Sequence, residues 1–383
     1  MAALDPKAIL AGRPPGRPPV GAIVVIAVSS LCLVVALAVT ASEGPTFVQG
    51  LLLALLPLPL LLAGVLSLDR LEPEPPDALV LSFLWGAGVA VLLAMVLNTA
   101  GLTLLWAPLL GPEEGLVVTA VLGAPLVEET LKGLVLVGML WFRRHEIDGP
   151  TDGIIYGSMV GLGFATVENI HYYTVAGPDA LAATFVVRGI ATPLVHPLCT
   201  SLTGVGVATA ALAAPGLRRV VPVLLGLLGA VAYHALWNGA AALGTDAVVG
   251  AYGLGLAVLV GLLAVVRVDR ARTVATIGRY LPPYRAAGVV TGADLAMLAS
   301  LPARRAARAQ VRAAGGPGPA RALRDYQQAA TELAMLHRRL ERGLIDRPAF
   351  ELRRDPLLVL MHAARAAVTP FWRPAAPPPA GPA

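Results

Sequence analysis

Charge is scarce in this chain, and lysine is scarcer still. Charged residues fill 14% of the 383 positions, against about 25% in an average soluble domain. Only two of the basic residues, Lys7 and Lys132, are lysines. So little charge cannot solvate the surface of a water-borne globule, which excludes an ordinary soluble enzyme. Cysteine is nearly missing as well. Cys32 and Cys199 each sit in an apolar run, so neither a disulfide framework nor a cysteine-rich metal site is available. What the chain has instead is apolar residues, at 56% of the total.

Those residues come in runs of membrane length. A span needs about 20 mostly apolar residues, and eight candidates occur: 20–41, 47–68, 78–105, 115–142, 153–174, 187–214, 220–243 and 246–266. The first exceeds the roughly 7–15 residues of a signal-peptide core, so a retained anchor is expected. With the N-terminus inside, the inner segments hold Lys7, Arg13, Arg17, Arg70, Arg143, Arg144, Arg218, Arg219 and every tail arginine. The outer loops then hold acids alone, such as Glu43, Glu113, Glu114, Asp179 and Asp246. The expected fold is all-α: a polytopic membrane helix bundle of about eight transmembrane helices. It is multi-pass, with both termini cytoplasmic. Arginine greatly outnumbers lysine, and Ala, Gly and Pro abound, the codon signature of a GC-rich genome; the expected location is a bacterial cell membrane.

Four regions follow: a cytoplasmic segment 1–19, a transmembrane domain 20–266, a basic, partly helical cytoplasmic tail 267–365, and a disordered Pro/Ala-rich end 366–383. The tail from Arg267 onward holds 19 Arg against 8 Asp/Glu, while the rest of the chain is acidic. Basic residues beside a bilayer attract anionic lipid headgroups by roughly 1 kcal/mol each, so lipid is the expected partner and no nucleic acid is required. Leu323, Tyr326, Leu333, Leu336 and Leu340 recur at helical spacing. A second amphipathic stretch, "PAFELRRDPLLVLMHAARAAV", is expected to break at Pro356.

Ionisable residues inside spans are costly and by default mark function. Here they gather in four consecutive spans. The fourth carries Glu128, Glu129 and Lys132; the fifth, Glu168; the sixth, Arg188 and His196; the seventh, His234 with Asn238. Counted from each span's cytoplasmic end, Glu129, Glu168, His196 and His234 fall at residues 13, 15, 18 and 14. At about 1.5 Å per residue they share a level within roughly 8 Å. Lys132 lies one turn from both Glu128 and Glu129, and that pairing alone could be helix-to-helix glue. Two carboxylates and two histidines at one depth exceed what packing needs.

Other signals weigh less. "HEIDG" lacks the second histidine of a zinc-protease helix. Glu168 and His171 form a single Glu-x-x-His where a di-iron bundle uses two. Ser158 and Cys199 are more often packing residues than nucleophiles. Arg188, at the outer mouth, either snorkels outward or holds a substrate carbonyl.

Glutamates and histidines without a nucleophile suit the activation of water. A carboxylate takes the proton while an imidazole or amide donor stabilises the tetrahedral oxyanion. The same residue types could hold a divalent metal such as Zn, with Glu129, Glu168, His196 and His234 as ligands. Both options stay open on the residues alone.

The blocks "DRLEPEP", "EETLK", "DGIIYGSMVGLGFATVENIHY", the His196 helix and "HALWN" resemble, in order and spacing, the PrsW family of bacterial intramembrane proteases, distant relatives of the CAAX prenyl and Abi proteases. The resemblance spans about 65–245. It implies an intramembrane endopeptidase hydrolysing a peptide bond of a membrane protein, typically first-site cleavage of a single-span anti-sigma factor. Carried over by position, it points to Glu128, Glu129, Glu168, His196, His234 and Asn238, supported by Lys132, Phe164 and Arg188. Glu129, or its neighbour Glu128, is the expected base; His234 and Asn238 would polarise the carbonyl. Two rivals are a proton-coupled transporter, whose paired broken helices are not evident, and a non-catalytic membrane sensor or scaffold.

Overall fold

The computed structural model describes residues 5–10, 20–68 and 74–372. Of the "DRLEPEP" block, residues 69–73 lie outside the described residues, as do most of the 1–19 segment and the chain end beyond Trp372. Among the described residues there is helix and no strand. The chain divides into two compact units, one of residues 19–69 and 74–266, the other of residues 1–18, 70–73 and 267–383.

In the first unit the principal helices are α1 (Val20–Ala41), α2 (Phe47–Leu66), α3 (Pro76–Leu110), α4 (Ala124–Phe142), α5 (Pro150–Phe185), α6 (Val195–Ala211), α7 (Leu217–Leu243) and α8 (Thr245–Tyr280), which the unit boundary divides after Val266. Among the described residues, six helical stretches are long and apolar enough to cross a membrane. This differs from eight runs for two reasons. One stretch, Pro150–Ala211, holds two of the runs, and α4 carries three charged side chains. The polarity of the unit is inverted relative to a soluble core. Leu104 is 79% exposed, whereas Glu129 and Lys132 are at 0%. This is a membrane protein: its outer surface is apolar because hydrocarbon is the solvent it meets.

Helices in hydrocarbon gain little from apolar burial and associate by close backbone approach. Gly153, Gly157 and Gly161 recur every four residues along α5. A Cβ on them would stand 2.1, 2.6 and 2.6 Å from the carbonyl oxygens of Gly204, Thr200 and His196 on α6. Only glycine allows α6 so near, and this approach sets the placement of His196 and Thr200. The α5 helix bends at Gly177, whose φ of +67° no β-carbon tolerates well, with Pro178 following.

The second unit is built from α9 (Gly292–Leu298), α10 (Leu301–Gly315), α11 (Pro317–Glu341) and α12 (Arg347–Val368), with a short helix Pro6–Leu10 and the end of α8. Its core is conventional: Leu298, Val311, Leu323, Tyr326, Leu333, Leu336 and Met361 are buried together. Arg304 is buried too, donating to the Leu298 carbonyl (2.9 Å) and Thr331 Oγ1 (2.8 Å). Pro356 does not break α12. It lies on the exposed face, where the carbonyl left without its helical donor meets solvent.

Candidate active site

The site is assembled from α4, α5, α6 and α7 around one amino group. On α4, Glu128, Glu129 and Lys132 fall within one turn, so their side chains leave the helix on one face. Lys132 Nζ donates to Glu129 Oε1 (2.8 Å) and, more weakly, to Glu128 Oε2 (3.4 Å). It also lies 2.9 Å from His196 Nδ1 on α6 and 3.6 Å above the Phe164 ring of α5.

The other histidine nitrogen continues the chain of contacts. His196 Nε2 lies 2.8 Å from Glu168 Oε2, which in turn accepts from Arg188 Nη2 at 2.5 Å. Arg188 also donates to Asn169 Oδ1 (2.8 Å) and covers the Tyr172 ring at 3.8 Å. Arg188 thus turns toward Glu168, neither snorkelling outward nor free. On the opposite side, His234 Nδ1 of α7 lies 2.9 Å from Glu129 Oε1, and Thr200 Oγ1 donates to Glu129 Oε2 (3.1 Å). The rings of His196 and His234 meet edge to face at 5.0 Å between centroids.

Seven of the expected residues therefore form one connected network: Glu128, Glu129, Lys132, Glu168, Arg188, His196 and His234. Phe164 is its apolar floor. Asn238 stands apart: it is half-buried and donates to the Ala120 carbonyl (2.8 Å). His171 pairs with Glu43 (2.7 Å), away from the cluster. Ser158 shares a hydrogen bond with Ser201 (2.9 Å). Sequence reasoning missed Thr200, although it lies one turn after His196 and so on the same face. It also missed Asn98, which donates to Glu128 Oε1 at 3.4 Å and is a lone amide in an otherwise apolar run.

Comparison with known proteins shows the family. The model of a family described as "PrsW family intramembrane metalloprotease" matches residues 74–266, which include every residue of the network. The chain belongs to the PrsW family. Three curated proteins, each named Protease PrsW, are similar to it. The one from Clostridioides difficile is 36% identical over 121 residues, covering 32% of this chain and 49% of that protein. The one from Geobacillus kaustophilus is 32% identical over 140 residues, 36% of this chain and 55% of that protein. The one from Bacillus subtilis is 45% identical over 51 residues, 13% and 23%. The chain thus spans about half the length of the first two. No solved structure matches it.

The PrsW description raises the question of a metal, and the donor types suit one. The ligand atoms of Glu128, His196 and His234 lie within 4.8 Å of one another, as do those of Glu129, Cys199 and His234. Yet Lys132 Nζ already touches Glu128 and His196 of the first group and Glu129 of the second. Both ring nitrogens of His196 are engaged. A dication held by these groups would sit against a fully buried ammonium. As arranged, the residues do not fit a resident metal, neither in these two groups nor in a set drawn from Glu129, Glu168, His196 and His234.

Proposed function

We propose that this chain is an intramembrane endopeptidase that hydrolyses a peptide bond of a membrane protein, with water activated by Glu128. The observation that carries this choice of base is the unequal engagement of the two neighbouring glutamates. Glu129 is saturated, with Lys132 and His234 on one oxygen and Thr200 on the other, and with no exposed surface. Among the described residues Glu128 has only two long contacts of 3.4 Å, so its lone pairs are the ones available to a water molecule.

In this reading Glu128 takes the proton from water and returns it to the leaving nitrogen. Glu129 anchors Lys132 and His234. His234, tied through Nδ1, has its second nitrogen for the scissile carbonyl and donates to the oxyanion when protonated. Asn238 would assist only after leaving the Ala120 carbonyl. Glu168, itself held by Arg188, orients His196. The resemblance supports a single-span membrane substrate, of which an anti-sigma factor is the expected case.

We further read the chain as crossing a bacterial membrane eight times with both ends cytoplasmic, the arrangement that keeps basic residues out of the outer loops. The arginines of α10 and α11 suit contact with anionic headgroups. Arg305, Arg308, Arg312, Arg321 and Arg324 make no ion pair among the described residues. Partial burial, with Arg324 and Arg305 close by, holds the Arg308 guanidinium below its ordinary pKa.

The test is a profile of peptide termini in membranes carrying the wild type, Glu128→Gln or Glu129→Gln. New termini within or beside single-span segments, present only with the wild type, support the protease reading and name the substrate. Identical profiles under several envelope stresses would sink it.

A further inference from the structure

A zinc-binding histidine normally gives one ring nitrogen to the metal and donates the other N–H to a carboxylate, which fixes the tautomer. His196 has this arrangement with one substitution. Its Nε2 faces the Glu168 carboxylate at 2.8 Å, so the proton belongs there and the lone pair belongs on Nδ1. That lone pair points at Lys132 Nζ, 2.9 Å away. The other contacts of Nζ are the two carboxylates a metal would also want, Glu129 and Glu128. An ammonium has three protons to give, and here three acceptors receive them, while the Phe164 ring closes the remaining side.

From this we infer that the Lys132 ammonium occupies the position of the metal in a carboxylate–histidine–metal triad. It is the resident cation of the site, and it keeps divalent ions out. A dication placed on the Nδ1 lone pair, at about 2.0–2.1 Å, would require that amine to leave the one location where its charge is balanced. Leaving it would carry the charge toward a bundle face that is apolar. Conversely, a neutral side chain at 132 would leave Glu128, His196 and His234 as a vacant three-ligand set with atoms within 4.8 Å of one another. Three protein ligands with one open position is the composition of a hydrolytic zinc site.

The inference rests on the same side-chain cluster as the protease reading, but its test does not use proteolysis. Full-length protein in detergent micelles is titrated with Co²⁺, and the visible d–d absorption of four-coordinate cobalt is recorded. Wild type and Lys132→Arg, which keep a cation, are expected to show none. Lys132→Met is expected to bind one Co²⁺ per chain, and adding His196→Ala to it should abolish the signal. Stoichiometric cobalt in the wild type, lost on His196→Ala or Glu128→Gln, would overturn the inference. So would a folded Lys132→Met that binds no cobalt. Should Lys132→Met fail to fold, elemental analysis of wild type grown with added zinc decides: stoichiometric zinc that depends on His196 refutes the inference, and its absence upholds it. Failure of the cobalt experiment leaves peptide-bond hydrolysis standing, and missing proteolysis leaves the cobalt result standing.

Discussion

The two units of this chain are built from the same element and sort their residues in opposite ways. In the membrane unit, large apolar side chains such as Leu60, Leu104 and Leu225 face outward, and Glu129 and Lys132 are wholly buried. In the tail unit, Leu333 and Leu336 are buried, while Arg305 and Arg312 are exposed. The difference follows from the solvent on the outer face. Water drives leucines inward at roughly 25 cal/mol per Å² of apolar surface buried. Hydrocarbon supplies no such drive, so the membrane helices are held by glycine-mediated backbone approach and by polar contacts that have nowhere else to go. One consequence is chemical: polar residues inside a low-dielectric bundle have only one another to meet and gather in one network, whereas Arg304 and Asp294, buried in the tail, tie its helices together singly.

The strongest break of this comparison is at the cluster itself. Glu128→Gln is expected to lower cleavage of a single-span substrate by about 10²–10⁴-fold, the usual contribution of a general base, with thermal unfolding in detergent unchanged. Glu129→Gln should differ by also destabilising the unit, by about 3–5 kcal/mol, because it removes the negative charge that balances the buried Lys132 ammonium. If the two variants behaved alike in unfolding, the division of labour between the glutamates would be wrong.

Truncations test the reversed polarity directly. Leu333→Ala should cost the tail about 2–5 kcal/mol, read as accelerated hydrogen exchange in α11 and α12. Leu104→Ala, on the apolar outer face, should change unfolding by under about 0.5 kcal/mol. A large loss there would mean that Leu104 packs against something other than lipid.

The smallest effect is expected from pH. His337 lies among Tyr280, Tyr284 and Phe350, and accepts from or donates to the Tyr284 hydroxyl at 2.7 Å. Partial burial, and then the nearby Arg354 charge, hold its pKa below the ordinary value. The folded tail therefore binds this proton less readily than the unfolded chain. Its contribution to stability is complete above about pH 6.5 and is lost as pH falls below it. Denaturant midpoints of the tail should decline over that range, and His337→Gln should flatten the decline.

Much of the site was legible because charge is so rare in the spans. Glu128, Glu129, Lys132, Glu168, His196 and His234 stand out against leucine and valine, and counting along the helices put the four tallied at a common level. The close approach of α5 and α6 was equally available in Gly153, Gly157 and Gly161, whose four-residue spacing marks a helix interface. Thr200 and Asn98 escaped notice because neutral polar residues in spans are common and usually bond their own backbone. Asn238 looked like part of the site because it shares a face with His234, but a face is a broad sector, and its amide found the Ala120 carbonyl. The interruption expected at Pro356 failed because a proline's effect depends on whether the orphaned carbonyl meets solvent.

Sequence by itself determined that this is an all-helical membrane protein with a basic, amphipathic tail, since length, apolarity and charge placement are local properties of the chain. Only the tertiary structure decided which partner each polar side chain takes. His196 meets a glutamate 28 positions away and His234 one 105 positions away. Those pairings depend on how far each helix is rotated about its axis against its neighbours. A few tens of degrees exchange one partner for another while leaving the hydrophobic pattern unchanged. That rotation, set by side chains and glycines packing together, is what saturates Glu129, spares Glu128 and places an ammonium between two carboxylates and an imidazole.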